Sequence, residues 1–116
     1  MANTFKVVTK AGVTSADVIY TVAGSTTTII LGLILGNTTT SQVTATVTLV
    51  SNTTSRAGNN DEAIQAVELV TNAPIPAGSS LELLSGNKVV LEATDEIKVS
   101  ASGATDIALS IMEITS

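Results

Sequence analysis

The stretch Gln-Val-Thr-Ala-Thr-Val-Thr-Leu-Val, residues 42–50, alternates apolar and polar side chains with a period of two. One face of this segment carries Val43, Ala45, Val47 and Leu49, and the other carries Gln42, Thr44, Thr46 and Thr48. Because successive side chains of a strand point to opposite faces, the pattern predicts an antiparallel strand with one face in the core. The second face is either exposed to solvent or in contact with a partner.

Similar short segments, bounded by turn residues, recur along the chain at intervals of roughly ten to twelve residues. We predict further strands at residues 5–9, 17–23, 27–35, 63–70, 81–84, 88–91, 97–101 and 107–114. Residues 27–35 carry apolar side chains without alternation, which favours a strand buried on both faces. Residues 63–70 have no clear period, and we prefer a strand there over a short helix.

Turn chemistry separates these segments. Pro74 and Pro76 lack an N–H group, so we predict that residues 72–80 lie outside any sheet. The short Gly-containing connection at 85–87 predicts a hairpin between residues 81–84 and 88–91. Together these features predict an all-β fold: one antiparallel β-sandwich domain over residues 1–116, of about eight or nine short strands, with a jelly roll as an open alternative.

The composition excludes several classes of protein. The chain is 44% hydrophobic but only 2% aromatic, and it has neither Cys nor His. We therefore expect an aliphatic core without disulfides or a structural zinc ion. The net charge of −5 argues against binding nucleic acid. Charged residues make up 13% of the chain, which indicates either a surface that meets other protein or a neutral Thr-rich sheet face.

No residue pattern predicts catalysis or a cofactor. Without His or Cys, the many hydroxyl groups have no evident base beside them. The adjacent acids Asp95 and Glu96 would point to opposite faces of a strand, so we interpret them as solubilising groups or acceptors for backbone amides. Residues 59–62 offer oxygen ligands for calcium but do not match an EF-hand loop. We expect no enzyme activity, no cofactor and no bound metal.

The N-terminal segment shows no signal-peptide pattern, and the longest apolar run, residues 29–35, is far short of the roughly 20 residues of a membrane helix. The sequence therefore predicts synthesis in a cytoplasm without export and without a membrane partner. The glycosylation patterns beginning at Asn37 and Asn52 are interpreted as chance matches in a Thr-rich chain.

The second half of the chain carries an unusual combination of segments: residues 74–84, 88–93, 95–102 and 109–114, which include Ile-Pro-Ala-Gly-Ser-Ser-Leu, Leu-Glu-Ala and Asp-Glu-Ile. Residues 20–22, 28–35 and 43–50 fit the same pattern more loosely. In these segments the chain resembles small virion structural proteins of tailed bacteriophages, especially those of marine phages. The resemblance carries no catalytic residues.

The resemblance implies a β-sandwich that sits in a virus particle assembled in the host cytoplasm. It could decorate the capsid as a cement protein that binds the major capsid protein, or belong to the tail or the head–tail junction. A homo-oligomer is expected, with a trimer as the favoured form. Two alternatives are less favoured. A carbohydrate-binding module would need aromatic rings to stack on sugars, and the chain has few. A fimbrial-type subunit would be expected to carry a signal peptide, and no such pattern is seen.

Two regions are predicted to contact a partner, because ordering a terminal segment or a long polar loop on binding costs little free energy. The predicted contact residues are Phe5, Lys6, Val7 and Val8 near the N-terminus, and Asn59, Asn60 and Asp61 in the loop. Deletion of residues 1–10 is accordingly expected to abolish particle binding and to leave the fold intact.

Overall fold

A computed structural model describes residues 2–52, 65–84 and 88–115. These residues form nine β-strands and no helix: β1 (Ala2–Val13), β2 (Asp17–Thr21), β3 (Thr26–Asn37), β4 (Val43–Ser51), β5 (Gln65–Ile75), β6 (Ser80–Leu83), β7 (Val89–Leu91), β8 (Glu96–Ala101) and β9 (Thr105–Thr115). Every pairing between them is antiparallel. The predicted all-β antiparallel fold is confirmed.

The strands form two sheets. In the first sheet the order is β1-β9-β3, and both β6 and β7 pair with the remaining edge of β3. The second sheet has the order β2-β8-β4-β5. Each sheet thus has two edges. In the first sheet, β1 forms one edge, and β6 and β7, end to end, form the other. In the second sheet, the edges are β2 and β5.

The core is aliphatic and draws on both sheets. Fully or almost fully buried side chains include Ile30, Leu33, Leu35, Leu109 and Ile111 of the first sheet and Val47, Ile97 and Val99 of the second. Burying such a side chain stabilises the fold by about 1.5–3 kcal/mol, so this layer supplies most of the driving force for folding.

Replacing Leu109 by Ala should lower the free energy of unfolding by about 2–5 kcal/mol, because the side chain is 0% exposed and leaves a cavity at the centre of the first sheet. Ile34→Ala, at a site 47% exposed on the same sheet, is the matched control and should change stability much less. Urea denaturation measures both. Equal losses in the two variants would contradict the assigned core.

The strand predicted at residues 42–50 is confirmed as β4, with Val43, Ala45 and Val47 buried. The prediction for residues 27–35 is wrong in one respect, because β3 is buried on one face only. Its inner side chains Thr28 and Ile30 are inaccessible, whereas neighbouring outer side chains are half-buried or exposed. In the described residues, no further layer covers that outer face.

The prediction that residues 72–80 lie outside any sheet is wrong for the first part of the segment. Strand β5 runs to Ile75, and Pro74 lies opposite Thr44 of β4. The position is tolerable because β5 is an edge strand, where a missing N–H group does not break a second ladder. The strand is irregular nearby: its register with β4 shifts twice, and Asn72 has a φ of 48°.

The predicted hairpin between residues 81–84 and 88–91 is also wrong. Strand β6 pairs with Leu33–Gly36 of β3, and β7 pairs with Thr28–Ile30. The two short strands therefore run in the same direction, one after the other, along a single edge. The physical reason is the length of β3, whose 12 residues offer an edge that either short strand alone would leave mostly unpaired. Residues 85–87 lie outside the described part of the chain.

The N-terminal strand is longer than predicted. Strand β1 pairs with β9 at ten positions between Ala2 and Val13, and a bulge absorbs the expected break at Ala11 and Gly12, where Gly12 adopts a φ of 68°. Removing residues 1–10 would strip this ladder from β9. None of residues 2–10 is buried, and β1 is an edge strand, so the expectation that such a deletion leaves the fold intact stays a prediction.

At one end of the sandwich, the buried side chain of Asn37 ties the two sheets together. Its Nδ2 donates to the carbonyl oxygens of Ser41 at 2.8 Å and Ile75 at 2.9 Å, and its Oδ1 accepts the N–H of Thr39 at 2.8 Å. These bonds give the Asn37 amide a structural role, and the interpretation of the Asn37 pattern as a chance match stays a prediction.

At the opposite end, Asp95 organises the turn between β7 and β8. Its carboxylate is 1% exposed and accepts the N–H groups of Asn52 at 2.9 Å and Glu92 at 3.0 Å. Its own carbonyl accepts the N–H of Val22 at 3.0 Å. The interpretation of this acid as an acceptor for backbone amides is confirmed, and it joins the ends of β2, β4 and β7.

Asp95→Ala should lower the free energy of unfolding by about 2–5 kcal/mol, because two N–H groups lose their carboxylate acceptors in a site closed to water. Asp17→Ala, which removes a partly exposed carboxylate 3.6 Å from Lys10, is the control and should have little effect. Thermal unfolding followed by circular dichroism would compare the two. An unchanged midpoint for Asp95→Ala would disprove the assigned role.

Candidate functional site

The outer face of the first sheet carries an unusual number of apolar side chains. One row crosses four strands in register, from Phe5 on β1 through Met112 on β9 and Ile29 on β3 to Val90 on β7. Phe5 is 71% exposed and Val90 57%. We use the name outer stripe for six apolar side chains of this face, namely Phe5, Val7, Ile29, Ile34, Val90 and Met112.

Charged groups lie away from the middle of the outer stripe. The acids that share its face are Glu82, which lies opposite Ile34, and Asp106, which lies opposite Gly36 near the end of β3. The lysines of β1 are opposite buried residues of β9 and so point to the other side of the sheet. The face is therefore apolar at its centre and acidic at one rim.

A shallow depression interrupts the outer stripe at Gly32. Its walls include Leu31, Ile34 and Glu82. Within the described residues, a Cβ atom added at Gly32 would meet no heavy atom within 4 Å, and Gly32 does not adopt a positive φ. Neither backbone strain nor internal packing therefore requires glycine here. A glycine inside a strand often marks a place where another surface approaches closely.

The structure divides the contact residues predicted from the sequence. Phe5 and Val7, which is 63% exposed, lie on the outer stripe. Lys6 and Val8 point to the inner side of the sheet, where Val8 packs against the core. Asn59, Asn60 and Asp61 lie outside the described residues. The contacts themselves remain predictions for all seven positions.

A polar cluster, which we call the tyrosine clasp, lies at the inner side of β1. The Tyr20 hydroxyl donates to Glu113 Oε2 at 2.6 Å and lies 2.7 Å from Thr28 Oγ1, and Lys6 Nζ lies 2.8 Å from Glu113 Oε1. Since Tyr20 belongs to the second sheet and the other three residues to the first, the clasp bridges the sheets. Its groups bond to one another across the two sheets, which suits a structural role.

Burial and the bond to Glu113 raise the pKa of Tyr20 to about 12. The ammonium group of Lys6, followed by the Tyr20 hydroxyl, lowers the pKa of Glu113 below its ordinary value. The clasp therefore holds a neutral phenol against an ionised carboxylate. Both shifts favour the folded state in the neutral pH range.

The raised pKa of Tyr20 predicts a loss of stability at high pH. The contribution is complete below pH 10 and disappears as pH rises towards about 12, because the unfolded chain releases the proton first. The lowered pKa of Glu113 predicts the opposite trend in acid, where stability falls as this carboxylate becomes protonated. Thermal midpoints measured across pH should be flatter between pH 10 and 12 for Tyr20→Phe than for the wild type.

The same prediction has a direct spectroscopic test, because Tyr20 is the one tyrosine in the chain. The ultraviolet absorbance of tyrosinate should report a midpoint near 12 in the folded protein. Glu113→Gln should bring that midpoint down, since the negative charge that opposes ionisation is gone. A wild-type midpoint at the ordinary value of 10 would contradict the clasp.

Among the residues that the structure describes, no group of three or more Asp or Glu side chains is arranged to hold a metal ion. The candidate calcium loop at 59–62 falls outside those residues. In the same described ranges, no helix is long and apolar enough to cross a membrane.

Sequence reasoning did not predict several members of the outer stripe, namely Ile29, Ile34, Val90 and Met112. The available signal was the unbroken apolar run of β3, which was interpreted as burial on both faces. The same run fits a strand that is buried inside and apolar outside. Only the sheet order, which leaves this face uncovered in the described residues, distinguishes the two.

The fold places this chain among proteins built from two antiparallel β-sheets. No protein-family model matches the sequence, and a search of curated proteins found no match. Among solved structures, the chain is similar to a protein of Bacillus endospore appendages, described as a novel family of disulfide-linked pili. The TM-score is 0.45 and the identity 16%, over 99% of this chain and 88% of that one.

Two further similarities are to chains of infectious bursal disease virus. For its T13 particle the TM-score is 0.38 with 9% identity, over 96% of this chain and 35% of the viral one. For its Gx strain the TM-score is 0.39 with 11% identity, over 97% and 37%. The chain spans just over a third of the length of these viral chains. At such TM-scores and identities, none of the three likenesses carries an argument about what this chain does.

Proposed function

We propose that this chain is a non-enzymatic structural protein of a bacteriophage particle, which decorates the capsid and stabilises its shell. Residues 1–116 act as one β-sandwich domain that binds the major capsid protein. The observation that carries the proposal is the outer stripe, an apolar sheet face with Phe5 and Val90 more than half exposed. The sequence resemblance to small virion proteins is the reason for proposing that the chain belongs to a virus particle.

An exposed apolar face of this kind favours a contact with another protein. Soluble proteins that work alone seldom keep large contiguous apolar patches in water, and such patches mark interaction surfaces. The outer stripe spans four adjacent strands, so it forms a patch and not a set of scattered side chains. Covering it would release water from apolar surface, which is the main source of affinity in stable assemblies.

The charges of the face define the partner's chemistry. Its centre is uncharged, whereas Glu82 and Asp106 lie at the rim. A complementary partner surface is therefore apolar in the middle and basic at one border. A partner present only in the assembled shell would also explain stabilisation, because a ligand that binds the assembled state shifts the equilibrium towards it.

Charged substitutions within the outer stripe should weaken binding to capsids that lack this protein. Ile34→Asp and Val90→Asp place a charge where the partner surface is apolar, and each should weaken binding at least about tenfold, since burying an unpaired charge is strongly unfavourable. Val18→Asp is the matched control, at a valine 41% exposed on the second sheet, and should bind as the wild type does. Co-sedimentation with purified capsids provides the measurement.

Wild-type behaviour of both stripe variants would refute the use of this face. The location within the particle needs a separate observation, a cryo-EM map of purified phage. Many symmetric copies on the shell would support decoration, and a ring or spike at the tail would move the function to the tail or head–tail junction. Absence of the chain from every particle would overturn the virion proposal.

A further inference from the structure

The free edges of the two sheets differ in how well they could accept another strand. Strand β2 has only 5 residues and a register shift, and the edge formed by β6 and β7 is divided into pieces of 4 and 3 residues. Strand β5 contains Pro74 and has two register shifts. These are features by which natural sheets prevent pairing at their edges.

Strand β1 has none of these interruptions over most of its length. Its register with β9 is continuous from Ala2 to Lys10, without proline and without a positive φ. Its two lysines, which could deter another strand, are each held by an acid of the same chain, Lys6 by Glu113 and Lys10 by Asp17. A regular edge of this length presents N–H and C=O groups to a further strand.

We propose that β1 pairs with β1 of a second copy of this chain, antiparallel and about a twofold axis. The second copy is favoured because every other edge in the described residues is interrupted, so only β1 against β1 joins two regular edges. A twofold interface uses the same patch on both subunits. The inference does not depend on the virion setting, and it differs from the trimer expected from the sequence.

The charges on β1 select the register of this pairing. Side chains directly opposite each other in an antiparallel pair point to the same face, and like charges there are destabilising. An axis at Lys6 sets the two copies of this lysine opposite each other, and an axis at Val8 sets Lys6 opposite Lys10. An axis at Val7 avoids direct opposition but leaves Lys6 diagonal to both lysines of the other strand.

An axis at Phe5 resolves the conflict. Lys6 then lies opposite Thr4, and Lys10 falls beyond the paired segment. The two Phe5 rings, each 71% exposed in one copy, face each other across the axis, and aromatic pairs are among the favourable cross-strand pairs. We therefore assign the axis to Phe5.

This pairing would also extend the outer stripe. Because the axis is perpendicular to the sheet, the outer faces of both copies lie on the same side. The first sheets would merge into one continuous sheet with two outer stripes side by side. A capsid surface would then contact both copies at once, which raises the overall affinity beyond that of a single copy.

Cysteine cross-linking tests the register in the isolated protein, which has no cysteine of its own. Residues opposite each other in antiparallel strands have Cα atoms about 4.5–5.5 Å apart, within the range of a disulfide, so a residue on the axis can bond to its own copy. Under mild oxidation, Phe5→Cys should form disulfide dimers at least about tenfold more than Val90→Cys, an exposed control on another strand.

The strongest dimer at Lys6→Cys or Val7→Cys, or no dimer above the control at any of these positions, would overturn the assigned pairing. A second measurement avoids cysteine altogether. Phe5→Lys sets like charges opposite each other on the axis and should convert a wild-type dimer to a monomer in sedimentation equilibrium, with unchanged circular dichroism, whereas Val90→Lys should remain a dimer. A wild type that sediments as a monomer throughout would also refute the proposal.

These experiments contain no capsid, so their outcome is separate from that of the capsid-binding assay. A monomeric protein that still binds capsids would leave the proposed function standing without the dimer. A dimer that fails to bind any particle would support the pairing through β1 and contradict the proposed function.

Discussion

The packing of aliphatic inner faces between the two sheets is the constraint on which the rest of the structure depends. With only 2% aromatic residues, the core must be filled by many branched side chains from both sheets. Because side chains alternate along a strand, a slip of one residue would move a whole apolar set out of this layer. The registers of β4 and β9, which are central strands, are therefore fixed by burial.

Burial between the sheets also explains where the hydrogen-bonded polar side chains that connect the sheets lie. At the ends of the sandwich the aliphatic layer stops, and buried polar groups there must be satisfied within the chain. Asn37 does this at one end, and Asp95 and the tyrosine clasp do it at the other. Each connects strands distant in sequence, so the two sheets are joined by directed bonds as well as by apolar packing.

The same alternation generates the candidate site. A strand such as β3, with apolar side chains at six of the seven positions from Ile29 to Leu35, fills the core with one set and leaves the other on the outside. The first sheet therefore presents an apolar outer face, and β1 adds both exposed side chains and a regular free edge to it. The low charge of the sequence anticipated a contact surface, and Phe5 and Val7 were predicted within it. The remaining members depended on which strands lie side by side.

The sequence by itself determined the period of the strands, the aliphatic nature of the core and the all-β antiparallel class, because these depend on local alternation and composition. It also placed β4 correctly. The pairing of β6 and β7 with β3, the inclusion of Pro74 in an edge strand and the one-sided burial of β3 were decided only by the tertiary structure. The physical reason is that strand partners are chosen by non-local packing and hydrogen bonding, which leave no trace in the periodicity of a single segment.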